Sequence, residues 1–163
     1  MVDGTLVENT VGLEESYFAG WLLHKLWEYT EKRNIGAVTG EQGLYVILPK
    51  LARGPDVAFI SWSRFPGGAM PKQGYPSVAP DFVVEVLSPG NTRAEMARKR
   101  KEYFKAGVTV VWDVEPRDRV VTVYTSPTDG REFGEKDTLK PGSFLPGFTV
   151  RLKDWFAVLD RHG

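Results

Sequence analysis

The sequence contains no cysteine. That absence removes disulfides, zinc–thiolate sites, iron–sulfur clusters and thiol nucleophiles, and it fits a reducing compartment, so a cytoplasmic location is expected. Histidine is nearly as scarce: His24 falls inside a helical pattern and His162 lies beside the C-terminus. A histidine-centred triad or zinc site has little to be built from. Neither sign of charge prevails, because 21 Lys and Arg balance 21 Asp and Glu. A zero total argues against tight non-specific binding of nucleic acid, which relies on many phosphate contacts, but it leaves room for a local basic patch. No uninterrupted apolar stretch is long enough to cross a bilayer, so no membrane partner is expected. The opening residues, MVDGTLVENTVG, lack the basic start and apolar run of a leader. The phosphate-loop pattern GxxxxGK[ST] and the HExxH zinc pattern are both missing.

What is present is an ordinary folding composition, 42% hydrophobic and 26% charged over 163 residues. That suits one domain, 1–163, able to bury its core without staples. Apolar residues at Leu13, Tyr17, Trp21, Leu22, Leu26 and Tyr29 recur at helical spacing and predict a helix over 13–33, stopped by Asn34 and Gly36. Strand patterns follow at about 43–48 and 56–61, then a loop over 62–80 rich in proline and glycine. Residues 81–87, DFVVEVL, form the clearest strand. Thr92 and Glu95 make a capping box that opens a helix to about Ala106, with Gly107 ending it. Residues 108–114 predict a buried strand, EPRDR a turn, and VVTVYTS the next strand of a hairpin. A short β region, then LPGFTV, lead to a last amphipathic helix near 152–160. The strand–helix–strand unit in the middle implies a parallel pair with its helix on one face. The fold class is therefore α/β, a mixed central sheet flanked by helices.

Three side chains break these patterns. Glu85 interrupts a strand apolar on both faces, and an ionised carboxylate there costs several kcal/mol, on the order of the desolvation penalty of a buried ion, unless it is paired or binds a metal. Alternation puts Asp81, Val83 and Glu85 on one face. Asp56 follows Pro55 at the start of a second apolar strand, so two acids on adjacent strands could converge on one divalent cation. Lys99 falls on the inward stripe defined by Met96, Tyr103 and Ala106, where a lysine either snorkels outward or meets buried carboxylates. Arg100 is its rival for that role. Each has a plainer alternative: a structural ion pair for Glu85, a turn-forming aspartate for Asp56 and Asp81, and an exposed lysine for Lys99.

The segments Pro55-Asp56-Val57-Ala58-Phe59, Pro80 through Pro89, Arg98 through Tyr103 and Ala106-Gly107-Val108, together with Gly40 through Gly43 and Leu145 through Phe148, resemble a large bacterial family of endonucleases. That family belongs to the PD-(D/E)XK, or restriction-endonuclease-like, superfamily. The resemblance implies a restriction-endonuclease-like fold, with Asp56 as the PD aspartate and Glu85 as the acid of the (D/E)XK element. Leu87 stands where the parent pattern has lysine, and the resemblance points to Lys99 on the following helix as its replacement. Glu15 and Glu41 would be additional carboxylates.

On this reading the chain is a metal-dependent endonuclease acting on DNA. Asp56, Glu85 and the Val86 carbonyl would hold Mg²⁺ or Mn²⁺, and Lys99 would orient the attacking water. Asp81 would tune the site from behind. Arg98, Arg100 and Lys101, with Arg93 and Lys105, would track phosphate. The resemblance also implies a homodimer. A rival reading is a structural homo-oligomer with no nucleic-acid role, for which exposed Trp62 and Phe65 in the long loop are candidate interface residues. The alternative is a catalytically inactive domain of the same fold, binding nucleic acid or forming a homo-oligomer.

Overall fold

The structure, a computed structural model, describes residues 12–72 and 74–163. Residues 1–11, most of the segment read above as lacking a leader's features, lie outside the described residues. Helix α1 runs Leu13–Glu31 and buries Phe18, Leu22 and Leu26. It stops two residues short of the expected end because Asn34 takes the left-handed conformation. The strands are β1 (Gly36–Gly40), β2 (Tyr45–Leu48), β3 (Leu51–Arg53), β4 (Val57–Ser61), β5 (Phe82–Val86), β6 (Val110–Glu115), β7 (Val120–Tyr124), β8 (Gly130–Phe133), β9 (Thr138–Leu139) and β10 (Val150–Arg151). Helix α2 spans Arg93–Ala106 between β5 and β6, and α3 (Leu152–Phe156) continues into a 3-10 turn at Ala157–Asp160.

Six strands form one mixed sheet in the order β1-β4-β5-β6-β7-β8, while β2 pairs with β3 and β9 with β10 in two-stranded ribbons. β5 and β6 are parallel and joined through α2; the other neighbours in the main sheet are antiparallel. The central mixed sheet flanked by helices is thus present. Of two strands that the sequence pattern did not predict, β1 adds an edge to this sheet and β3 completes the ribbon with β2. β1 (GAVTG) owes its place to closeness: a Cβ on Gly36 would lie 2.3 Å from the Ile60 carbonyl oxygen, so only glycine lets this edge press against β4.

Side-chain alternation gives the sheet two unlike faces. Val57, Phe59, Phe82, Val84, Val86, Val110, Trp112 and Val114 join Phe18, Leu22 and Leu26 of α1 and Trp155 and Phe156 in one apolar core. Ala58, Ile60, Val83 and Val111 look the other way, toward Tyr103 of α2 and Tyr45 and Ile47 of the β2–β3 ribbon. This second face carries Asp81, Glu85 and Asp113.

The long loop corrects two expectations. Phe65 is buried and Trp62 half-buried. The two rings pack together, and the indole N–H of Trp62 donates to Asn34. Neither is free to make a dimer interface. Asp81 is also committed. Its carboxylate accepts the Ser61 amide at 2.7 Å and the Arg64 guanidinium at 2.8 Å. The same guanidinium donates to the carbonyls of Ala79, Pro80 and Gly107. No helix among the described residues is long and apolar enough to cross a membrane.

Candidate active site

Asp56 and Glu85 lie on the same face of the sheet. Asp56 shares the parity of Ala58 and Ile60, Glu85 that of Val83, and all of these face α2. Both carboxylates are buried, Asp56 at 6% and Glu85 at 4% exposure. β5 turns the N–H of Val86 toward β4, where the Asp56 carboxylate accepts it at 2.6 Å. Leu87, next along, turns its N–H to Val114 of β6. A strand residue directs its N–H and C=O to the same side. Extending the register from Val57 opposite Val84 sets Val86 opposite Pro55, and proline has no N–H to give. The Val86 carbonyl is thereby directed beside Asp56 with no ladder donor from β4.

Above this pair α2 contributes three residues one turn apart: Glu95, Lys99 and Tyr103. Lys99 is buried, its ammonium 3.5 Å from one Glu85 oxygen and 3.8 Å from Glu95. The Tyr103 hydroxyl donates to the other Glu85 oxygen at 2.5 Å. Asn91, before the helix, donates weakly to Glu95. Burial first and the neighbouring Glu85 second push the Asp56 carboxyl up to about 7, against the opposing pull of the Val86 amide and Lys99. Three acids, Asp56, Glu85 and Glu95, around one lysine leave the cluster short of positive charge.

The donor set suits a hard cation. Two carboxylates and a carbonyl are all oxygen, and Mg²⁺ characteristically takes one or two carboxylates and keeps several waters. Among the described residues no group of three or more acids or histidines is placed to hold an ion. A cation here would therefore rest on Asp56, Glu85 and Val86, with water completing its shell.

Of the accessory candidates, Glu41 is near: with Asp56 it lines a cavity of about 250 Å³ that also touches Ser16, Ala19, Gly20 and Leu23 of α1, and its charge acts on Asp56. Glu15 is not part of it. Its carboxylate folds back over Gly12, where a Cβ would lie 2.1 Å from it, and the polar α1 side chain lining the cavity is Ser16. Asp81 has the parity of Glu85, but it sits four residues away, roughly 13 Å along the strand, in the Arg64 clamp. Arg100 does not face solvent for phosphate: it donates to Asp113 at 2.6 Å and stacks on Tyr124. Arg98 and Lys101 are exposed, Arg98 with only a distant partner in Glu102 at 3.9 Å. Sequence reasoning missed Tyr103, which reads as a core aromatic. It also missed Asp113, although Asp113 breaks VVWDV just as Glu85 breaks FVVEV.

Comparison with known proteins bears on this geometry. A family model, Uma2, described as "Putative restriction endonuclease", matches residues 1–153. No curated protein matches. Among solved structures, a "putative nuclease belonging to DUF820" from Anabaena variabilis superposes with a TM-score of 0.80 at 19% identity, covering 94% of this chain and 86% of that one. At that identity the likeness speaks for the fold.

Proposed function

The chain belongs to the Uma2 family, described as "Putative restriction endonuclease", and on that footing we propose that it is a metal-dependent endonuclease that hydrolyses phosphodiester bonds in DNA. The observation that carries this reading is the buried Asp56–Glu85 pair on one face of the sheet, with Lys99 beside it. In the proposal Asp56, Glu85 and the Val86 carbonyl hold Mg²⁺ or Mn²⁺. When bound, such an ion polarises a phosphate oxygen and lowers the pKa of a coordinated water. Lys99 holds positive charge at a fixed, dry position where it orients the attacking water and offsets charge that develops on phosphate. Glu95, one turn earlier on α2, is a second carboxylate partner for the Lys99 ammonium. Exposed Arg93, Arg98, Lys101 and Lys105 offer the substrate backbone a basic flank of α2. The reading further takes 1–163 as one domain acting as a cytoplasmic homodimer. Leu13, Tyr17 and Trp27, exposed on one side of α1, replace Trp62 and Phe65 as its apolar surface.

The test is cleavage of duplex and single-stranded DNA with and without added Mg²⁺ or Mn²⁺. Asp56→Asn and Glu85→Gln should each lower the metal-dependent rate by about 100-fold or more, as loss of a group serving the transition state does. Wild-type rates in both variants would defeat the proposal. One observation favours a second reading, an inactive nucleic-acid-binding domain: Glu85 already has Lys99 and Tyr103 as partners without any ion. Calorimetric titration with Mn²⁺ separates the two, since the inactive domain binds none.

A further inference from the structure

The two oxygens of Glu85 are not equivalent. Oε1 is 2.5 Å from the Tyr103 hydroxyl, which can only donate to it. Oε2 is 3.5 Å from the Lys99 ammonium, a looser contact that leaves this oxygen room for a closer partner. Tyr103 is 1% exposed, and its ring is wedged into the apolar cluster formed by Ala58, Val83 and Val111. Its hydroxyl therefore cannot swing away, and Glu85 cannot rotate without abandoning it. A buried carboxylate oxygen that loses its donor pays a desolvation penalty.

We propose that Tyr103 is a positioning residue that restricts Glu85 to binding a divalent cation through Oε2 alone, so that the site discriminates against calcium. The proposal rests on the reading of Asp56 and Glu85 as cation ligands. Its chemistry follows from the ions. Ca²⁺ takes six to eight oxygens and readily binds a carboxylate through both, whereas Mg²⁺ requires near-octahedral geometry with fewer, singly bound donors. With Oε1 already accepting a hydroxyl and the carboxylate held in one rotation, the two-oxygen mode that a larger ion favours is penalised relative to binding through Oε2. The same lock keeps Oε2 on the side of Lys99, so the ligand oxygen and the lysine stay adjacent.

The test uses the full chain, stripped of metal and without DNA, titrated calorimetrically with MnCl₂ and with CaCl₂. The Tyr103→Phe variant keeps the ring in its cluster and removes only the hydroxyl. Its ratio of Ca²⁺ to Mn²⁺ affinity should rise by about fivefold or more over wild type, the equivalent of one hydrogen bond of about 1 kcal/mol. Lys99→Met, which leaves the lock intact, should move both affinities together and keep the wild-type ratio. An unchanged ratio in Tyr103→Phe, or a ratio that shifts as much in Lys99→Met, overturns the inference while leaving the metal site standing. A wild-type chain that binds neither ion overturns the metal site itself, and the inference with it.

Discussion

Glu85 on β5 and Asp113 on β6 stand side by side in register, and successive residues of α2 serve them: Lys99 for Glu85, Arg100 for Asp113. Burial dominates both neighbourhoods, lifting Asp56 to about 7 and Asp113 to about 6 from the 3.8 of an open aspartate. One Asp113 oxygen is buried without a partner in the structure, in keeping with that shift. Both groups are weaker acids folded than unfolded. Between roughly pH 4 and pH 7 the folded chain therefore keeps protons that the unfolded chain has released, and stability falls as pH rises through that window. The chelator-treated protein should accordingly melt at a higher temperature near pH 5 than near pH 8, with Asp56→Asn flattening the upper part of the slope. A melting temperature that climbs from about pH 5 to about pH 8 would contradict the assignment of buried, protonated carboxyls. The places of Glu85, Asp56 and Lys99 were legible because each is a charge set into an apolar pattern. Asp81 shows the limit of that logic: parity tells which face a residue takes but not which end of the strand matters. Arg100 shows another: helix spacing left it open as an inward rival of Lys99 or a phosphate-facing cation, and its partner Asp113 comes from a strand read separately.

Helix α2 is the element that assembles the site, and its ends are written locally. Thr92 is the N-cap, its hydroxyl accepting the Glu95 amide at 3.1 Å, and Gly107 closes the helix at φ +101°. Glu95 thus belongs both to the first turn and to the Lys99 network. Thr92→Ala should cost about 1 kcal/mol, read from the midpoint of urea unfolding. A loss below a few tenths of that would mean the cap is dispensable. These boundaries were readable because a capping box and a C-terminal glycine act within one turn. β1 and β3 were not readable. Each is short, five and three residues; β1 pairs with a strand distant in sequence, while β3 pairs with neighbouring β2 over only three residues and is tied to a distant helix by a side chain. Gly36 pairs with Ser61, and Arg53 of β3 binds Glu102 of α2. The terminal helix was expected as one amphipathic piece over 152–160; its second half tightens into a 3-10 turn.

At the scale of the molecule the two faces of the sheet divide the labour: one is apolar and closed by α1 and α3, the other carries the charged site. The closed face is sealed by the chain's end. Trp155 stacks on Phe18 with ring centroids 4.6 Å apart and donates its indole N–H to the Phe18 carbonyl. Trp155→Ala should therefore cost about 3–5 kcal/mol, a large share of the roughly 5–15 kcal/mol that holds a domain of this kind together. Chemical denaturation with fluorescence and circular dichroism would measure it, and an unmoved midpoint would refute it. The family match ends at residue 153, but the buried core runs on through Phe156 and Val158. The parallel β5–α2–β6 unit could be foreseen from its crossover; the place of β1 at the sheet edge, against β4, could not, because pairing between distant strands leaves no local mark. Pro55 has a final consequence. It withholds one rung from the ladder between β4 and β5, and the site occupies the gap. An ordinary residue at position 55 would supply the missing rung and occupy the Val86 carbonyl, so the activity proposed for this site would be lost through mending as well as through damage, with every acidic group intact.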